Sequence, residues 1–181
     1  EAKLSAARAL RRRGFKGLIC EHGDGAIVPG VVNSHVHLEF SALAGRIPPQ
    51  ERWEDWLEMA LDRREALAPA AVDQGIAQGI EALHRSGTAL VGEVSNTGAS
   101  LPHLIKSPLE YHLFYECLGF NLKEGLNLAE SFPFFGEAAA SGNSFFSAAA
   151  HAPYSVSASL FQAISRWNGD CRPQMVHLGE S

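Results

Sequence analysis

The 181-residue sequence is 46% hydrophobic and 19% charged, with a formal net charge of −5. That balance excludes a disordered chain, and length allows one core of ordinary size rather than several domains. No apolar run approaches the roughly 20 residues of a membrane span, and the start lacks a signal-peptide core.

Basic residues are dispersed apart from Arg11-Arg12-Arg13, which reads as the solvated face of a helix rather than a nucleic-acid contact. Cys20, Cys117 and Cys171 are odd in number and far apart, so they give neither a disulfide framework nor a C-x-x-C site. A reducing cytoplasm is the expected compartment. Glu1 in place of Met predicts that the native start lies upstream.

In chain order, Glu1 to Arg13 has helix-forming composition, with Leu4, Ala7 and Leu10 at helical spacing. Asp24-Gly25 predicts a turn, Ala26 to Val28 a short apolar run, and Pro29-Gly30 leads into a strand over Val31 to Leu38. Helices are expected over Trp53 to Leu67 and Val72 to Arg85, separated at Pro69 and closed by Gly87. Strands follow at Thr88 to Val94 and Leu109 to Leu118, around a short helix at Leu101 to Lys106. Leu122 to Ala140 reads as mixed helix, Ser144 to Ala150 as a buried strand, Ser157 to Trp167 as a helix and Pro173 to Leu178 as a fifth strand. Such alternation predicts parallel strands with crossover helices, an α/β fold. Both an open doubly wound sheet and a (β/α)8 barrel satisfy it. The first strand, however, ends in His35-Val36-His37 and not in a glycine-rich phosphate turn.

His35 and His37 stand two apart on a strand and project from one face, so their nitrogens can converge on one ion at about 2.0–2.1 Å. With eight histidines in the chain, an H-x-H pair also arises readily by chance, one ring buried and one at the surface. His177 lies at the end of an apolar strand, and Glu180 follows three residues on. A carboxylate there can take a proton from activated water and return it to a leaving group; a structural histidine and a solvated glutamate would look the same. His151 directly follows the Ser144 to Ala150 strand, with Pro153 ending that strand and Ser157 placed to cap the next helix. It is expected either to meet substrate or to be a plain turn histidine.

Taken together these residues resemble the amidohydrolase superfamily, and within it the deaminase and chlorohydrolase branch that includes guanine, cytosine, methylthioadenosine and aminodeoxyfutalosine deaminases. Pro29-Gly30-Val31-Val32-Asn33-Ser34-His35-Val36-His37 is similar to the family's first strand, Gly92-Glu93-Val94-Ser95-Asn96 to its second strand end, and His151-Ala152-Pro153-Tyr154-Ser155-Val156-Ser157 to its fourth. Val176-His177-Leu178-Gly179-Glu180 is similar to its fifth, with Gly179 where alanine is usual. The resemblance implies a (β/α)8 barrel with about five units in residues 29–181, and a remnant of a flanking β-sandwich in 1–28. It implies one divalent metal, zinc first and iron second, on His35, His37 and His177, with Glu180 as general acid/base. His151, Glu93, Glu116, Arg46 and Trp53 would face the substrate.

The activity so implied is hydrolytic deamination of an aminated purine, pyrimidine or related ring. Dechlorination or cyclic-amide hydrolysis would use the same ligands, and a non-catalytic fragment or binding module is the alternative of another class. The zinc deaminases with H-x-E and P-C-x-x-C are excluded by the cysteines, and an H-E-x-x-H helix is absent. A small-molecule substrate is expected, with no nucleic acid or membrane partner; a homo-oligomer is left open. The family's further Asp ligand and sixth-strand His have no counterpart in these 181 residues, so a longer polypeptide is expected and this stretch alone is not expected to be competent.

Overall fold

The computed structural model describes residues 2–20, 22–122, 127–132, 134 and 145–179. Its elements are α1 (Ala2–Arg12), β1 (Val31–Val36), a 3-10 helix (Leu38–Leu43), α2 (Trp53–Glu65), α3 (Pro69–Arg85), β2 (Thr88–Ser95), α4 (Leu101–Leu104), β3 (Glu110–Cys117), α5 (Leu128–Ser131), β4 (Phe146–Ala150) and α6 (Ala158–Asn168).

Local chemistry sets most boundaries. Glu54 and Asp55 occupy the first turn of α2 and Arg63 and Arg64 its last, both favourable to the helix dipole. Pro69 sits at the first turn of α3, where a missing N–H costs nothing, so the expected break is the start of this helix. Gly87 closes it in the left-handed region at φ 87°. The Ser157 hydroxyl caps α6 by accepting the Leu160 N–H at 3.2 Å.

The strands are all parallel and run in sequence order, β1-β2-β3-β4. A doubly wound sheet reverses its order at a switch point; no reversal occurs among these strands. Side chains alternate between two faces of the sheet. On the helix-covered face, Leu38, Ile76, Ile80, Val91, Leu104 and Leu109 form one core. Leu113, Cys117, Phe146, Ala148, Leu160 and Ile164, among others, form a second beneath α6. The opposite face carries a small apolar layer of Val94, Phe114 and Ala149 with Met175 against it. By the same alternation, His35 on β1, Asn96 after β2, Glu116 on β3 and His151 after β4 stand on this second face, beyond the apolar layer at the carboxyl ends of the strands.

Three expectations are corrected. Pro173–Leu178 does not form a fifth strand: it is irregular, and His177 N–H to the His151 carbonyl at 2.8 Å is its backbone bond to the end of β4. Two causes are visible. Pro173 has no N–H to donate. The Asn168 side chain already takes the Ala148 N–H (2.9 Å) and donates to the Ala148 carbonyl (2.8 Å), filling the place where a strand would pair. The first strand is shorter than expected, because the chain turns into the 3-10 helix at Leu38. Within 2–28 the described residues hold α1 and no strand; the glycines at 14, 17, 23 and 25 interrupt any run of strand formers. Most of the helix expected over Leu122 to Ala140 lies outside the described residues, and α5 is the helical turn assigned within it. Among the described residues no helix is long and apolar enough to cross a membrane.

The 3-10 helix packs unusually close to α3. A Cβ at Gly75 would stand 2.5 Å from the Ala42 backbone nitrogen, and one at Gly79 would strike the Ser41 hydroxyl. Two glycines one turn apart on α3 thus let the segment after His37 settle onto the helix.

Candidate metal centre

His35, His37 and His177 come together at the carboxyl end of the sheet, and their ligand nitrogens lie within 4.8 Å of one another. His35 Nε2 is 3.1 Å from His37 Nε2 and 3.1 Å from His177 Nε2. The ring centroids of His177 lie 4.7 Å from His35 and 5.9 Å from His37. Local structure produces the convergence. β1 is irregular between Asn33 and Val36, the His35 N–H is taken by the Asn33 side chain at 3.2 Å, and Gly92 leaves room for the Ser34 carbonyl.

The donor set fits a divalent cation. Tetrahedral zinc with nitrogen at about 2.0–2.1 Å places neighbouring ligand atoms about 3.3 Å apart. The observed spacing is close to that. His177 Nδ1 donates to the His151 carbonyl at 2.9 Å, which leaves Nε2 as the ring nitrogen turned toward its two neighbours. Burial pushes the His37 imidazole below the usual histidine range, as do His35 and His177, while Glu116 and Glu39 oppose. A neutral ring is the form that ligates.

Around the cluster, Glu116 is buried, with one oxygen 3.4 Å from His177 Nδ1 and the other accepting from Asn96 Nδ2 at 2.8 Å. The His151 ring lies 5.0 Å from that of His177. Ser155 donates to the Ala152 carbonyl at 3.2 Å, so its oxygen accepts from His151 Nδ1 at 2.7 Å. Glu116, His151 and His177 also bring ligand-type atoms within 4.8 Å of one another.

Other expected residues are placed elsewhere. Glu93 is fully buried but stands on the helix-covered face, where its oxygens accept the Leu38 N–H at 3.0 and 3.3 Å. Burial pushes its carboxyl up to about 8; the Leu38 N–H and Ser100 hydroxyl oppose this and Glu39 adds to it. Arg46 is exposed just past the 3-10 helix and Trp53 is half-buried at the start of α2; among the described residues neither joins the histidine network. Glu180 lies outside the described residues.

Sequence reasoning did not single out Arg64, Ser95 or Thr97. They meet at Glu39, two residues after His37 and only 2% exposed. Its Oε1 accepts from the Ser95 hydroxyl, from Thr97 N–H (3.3 Å) and from the Thr97 hydroxyl (2.8 Å). Its Oε2 takes Arg64 Nη2 at 2.8 Å. The acidic residue beside an H-x-H pair and the S-x-T stretch ending β2 were the available signals, but nothing local announces that they meet.

Residues 26–172 match the sequence profile of the amidohydrolase family, and the chain belongs to that family. It is 31% identical over 140 residues to the aminodeoxyfutalosine deaminase of a Nitratiruptor species, covering 75% of this chain and 34% of that enzyme. Among solved structures it is similar to Helicobacter pylori aminofutalosine deaminase in complex with methylthio-coformycin. The TM-score is 0.67 at 26% identity, over 82% of this chain and 36% of that one. Guanine deaminase from C. acetobutylicum with bound guanine gives 0.66 at 18% identity, over 84% of this chain and 40% of that one, a likeness of fold. The chain thus spans little more than a third of the length of these relatives.

Proposed function

We propose that this chain carries the amino-terminal β/α units of a (β/α)8 barrel that deaminates an aminated ring by hydrolysis at one divalent metal. In this reading residues 29–181 belong to the barrel and 1–28 to a flanking region. The observation that carries it is the convergence of three imidazole Nε2 atoms at the strand ends, in a chain of the amidohydrolase family.

His35, His37 and His177 would hold the metal, zinc first and iron as the alternative. Bound there, it would supply water activated for attack near neutral pH. Glu180 would take the proton from that water and deliver it to the departing nitrogen, a role for which a carboxylate next to the third ligand is suited. His151, with Nδ1 committed to Ser155, would present Nε2 to the substrate. Glu116, fixed by Asn96, would accept a substrate N–H from the same side. The substrate class is drawn from the name of the Nitratiruptor relative, an aminodeoxyfutalosine deaminase, and from the methylthio-coformycin bound to the Helicobacter pylori enzyme.

The test is metal content and ammonia release. The longer polypeptide that carries these residues, purified and loaded with zinc or iron, is assayed against aminated purines, their nucleosides and aminated pyrimidines. Deamination lost in His35→Ala together with bound metal supports the reading. Turnover that persists after exhaustive chelation would overturn it.

A further inference from the structure

The three rings of the cluster are held in different ways. His177 has a hydrogen bond behind it, from Nδ1 to the His151 carbonyl. The Nδ1 atom of His37 is buried and has no hydrogen-bond partner among the described residues. Its ring therefore takes its orientation from the main chain that carries it, and that chain is fixed at each of the next three residues. The Leu38 N–H is held by both Glu93 oxygens. The Glu39 carboxylate is gripped by Ser95, Thr97 and Arg64. Phe40 donates its N–H to the His37 carbonyl at 3.1 Å and lies under the Arg64 guanidinium, 5.0 Å from ring centroid to Cζ.

A buried carboxylate is an expensive way to hold a turn. Desolvation penalises it, and the ion pair with Arg64 offsets that only because the remaining lone pairs are also satisfied. An apolar side chain would fill the same space, but would not tie the turn to both the end of β2 and the last turn of α2. Resting on the metal reading above, we propose that Glu39, set by Arg64, is a positioning residue for His37: it fixes the turn so that His37 Nε2 stays aimed at the other two ligands.

The experiment measures zinc affinity by competition with a chromophoric chelator, and the absorption spectrum of the cobalt-substituted protein, at a temperature where circular dichroism shows every variant folded. Glu39→Gln should weaken zinc binding by about 10- to 100-fold, the usual effect of removing a partner that orients a ligand, and should alter the cobalt spectrum. Arg64→Gln should act in the same direction and decides the matter if Glu39→Gln does not fold. Arg64→Lys should recover part of the loss, and Arg63→Gln, exposed on the same helix, should bind as the wild type does. A wild type that binds zinc, with a folded Glu39→Gln or Arg64→Gln variant of equal affinity and unchanged spectrum, overturns the positioning role alone. A wild type that takes up no metal overturns the metal reading and this inference with it.

Discussion

The two arms that meet at the histidine cluster are built on opposite plans. On one side, His35 and His37 leave a sheet strand and enter a turn whose backbone and side chains are held by Glu93, Ser95, Thr97 and Arg64. On the other, His177 rides on an irregular segment whose backbone and ring both bond to the single carbonyl of His151. The first arm is held by several side chains from separate elements; among the described residues the second has the His151 carbonyl, Glu116 at 3.4 Å from the ring, and Met175 against the apolar layer. On the metal reading proposed above, the difference amounts to a division of labour: a fixed pair of proposed ligands defines a position, and a third, held more lightly, by fewer hydrogen bonds among the described residues, completes it. The general acid/base proposed at Glu180 follows His177 by three residues in the sequence and lies outside the described residues.

Four outcomes would sharpen or break this contrast. The largest concerns chemistry. In the active, metal-loaded enzyme Glu180→Gln should retain metal but lower kcat by about 10²- to 10⁴-fold; a change of only a few-fold would remove Glu180 from proton transfer. Next, Asn168→Ala should destabilise the protein by about 1–3 kcal/mol in chemical denaturation, because the Ala148 N–H and carbonyl lose their partner beside the lighter arm. If stability is unchanged, water or the neighbouring segment replaces the amide at no cost.

The third outcome is a pH dependence rooted in the heavier arm. The Glu93 carboxyl is raised from 4.5 to about 8, so the folded state binds the extra proton between those values. Its stabilising contribution is complete below about 4.5 and is lost as pH rises through 8. The wild type should therefore lose stability relative to Glu93→Gln by at most about 1.4 kcal/mol per pH unit across that window. Parallel curves for the two proteins would show that Glu93 ionises normally. The smallest effect is dynamic: the His177 amide should exchange with solvent at least about tenfold faster than the Leu38 amide. Equal protection would erase the distinction between the arms.

How much of this was legible in the sequence follows from how local each cause is. Pro69 and Gly87 around α3, Ser157 before α6, and the alternation of strands and helices are written within a few residues of where they act. The convergence of His35, His37 and His177 followed from same-face spacing together with family resemblance, and the rings do meet. What failed to show was everything that depends on partners far along the chain. Pro173–Leu178 has the apolar composition of a strand, yet Asn168 occupies part of the edge it would have paired with. Glu93 alternates correctly for a buried residue, but its carboxyl group serves the Leu38 N–H on the helix-covered face, 55 positions away. The 3-10 helix has no periodic signature, because Glu39 is drawn inward by Thr97 and Arg64 from separate elements.

The glycines of α3 carry a practical consequence. Replacing helical glycine with alanine is a standard route to a stiffer, more heat-resistant protein, worth about 1 kcal/mol at an ordinary helix position. At Gly75 and Gly79 the added methyl would press on Ala42 and Ser41, directly behind the turn that carries His37. An engineer following the usual recipe would thereby push His37, a proposed ligand, out of alignment from the far side of the sheet, without touching any of the histidines. Two absent methyl groups set how deep the histidine turn can sit, and a search for heat resistance in this chain should leave both positions empty.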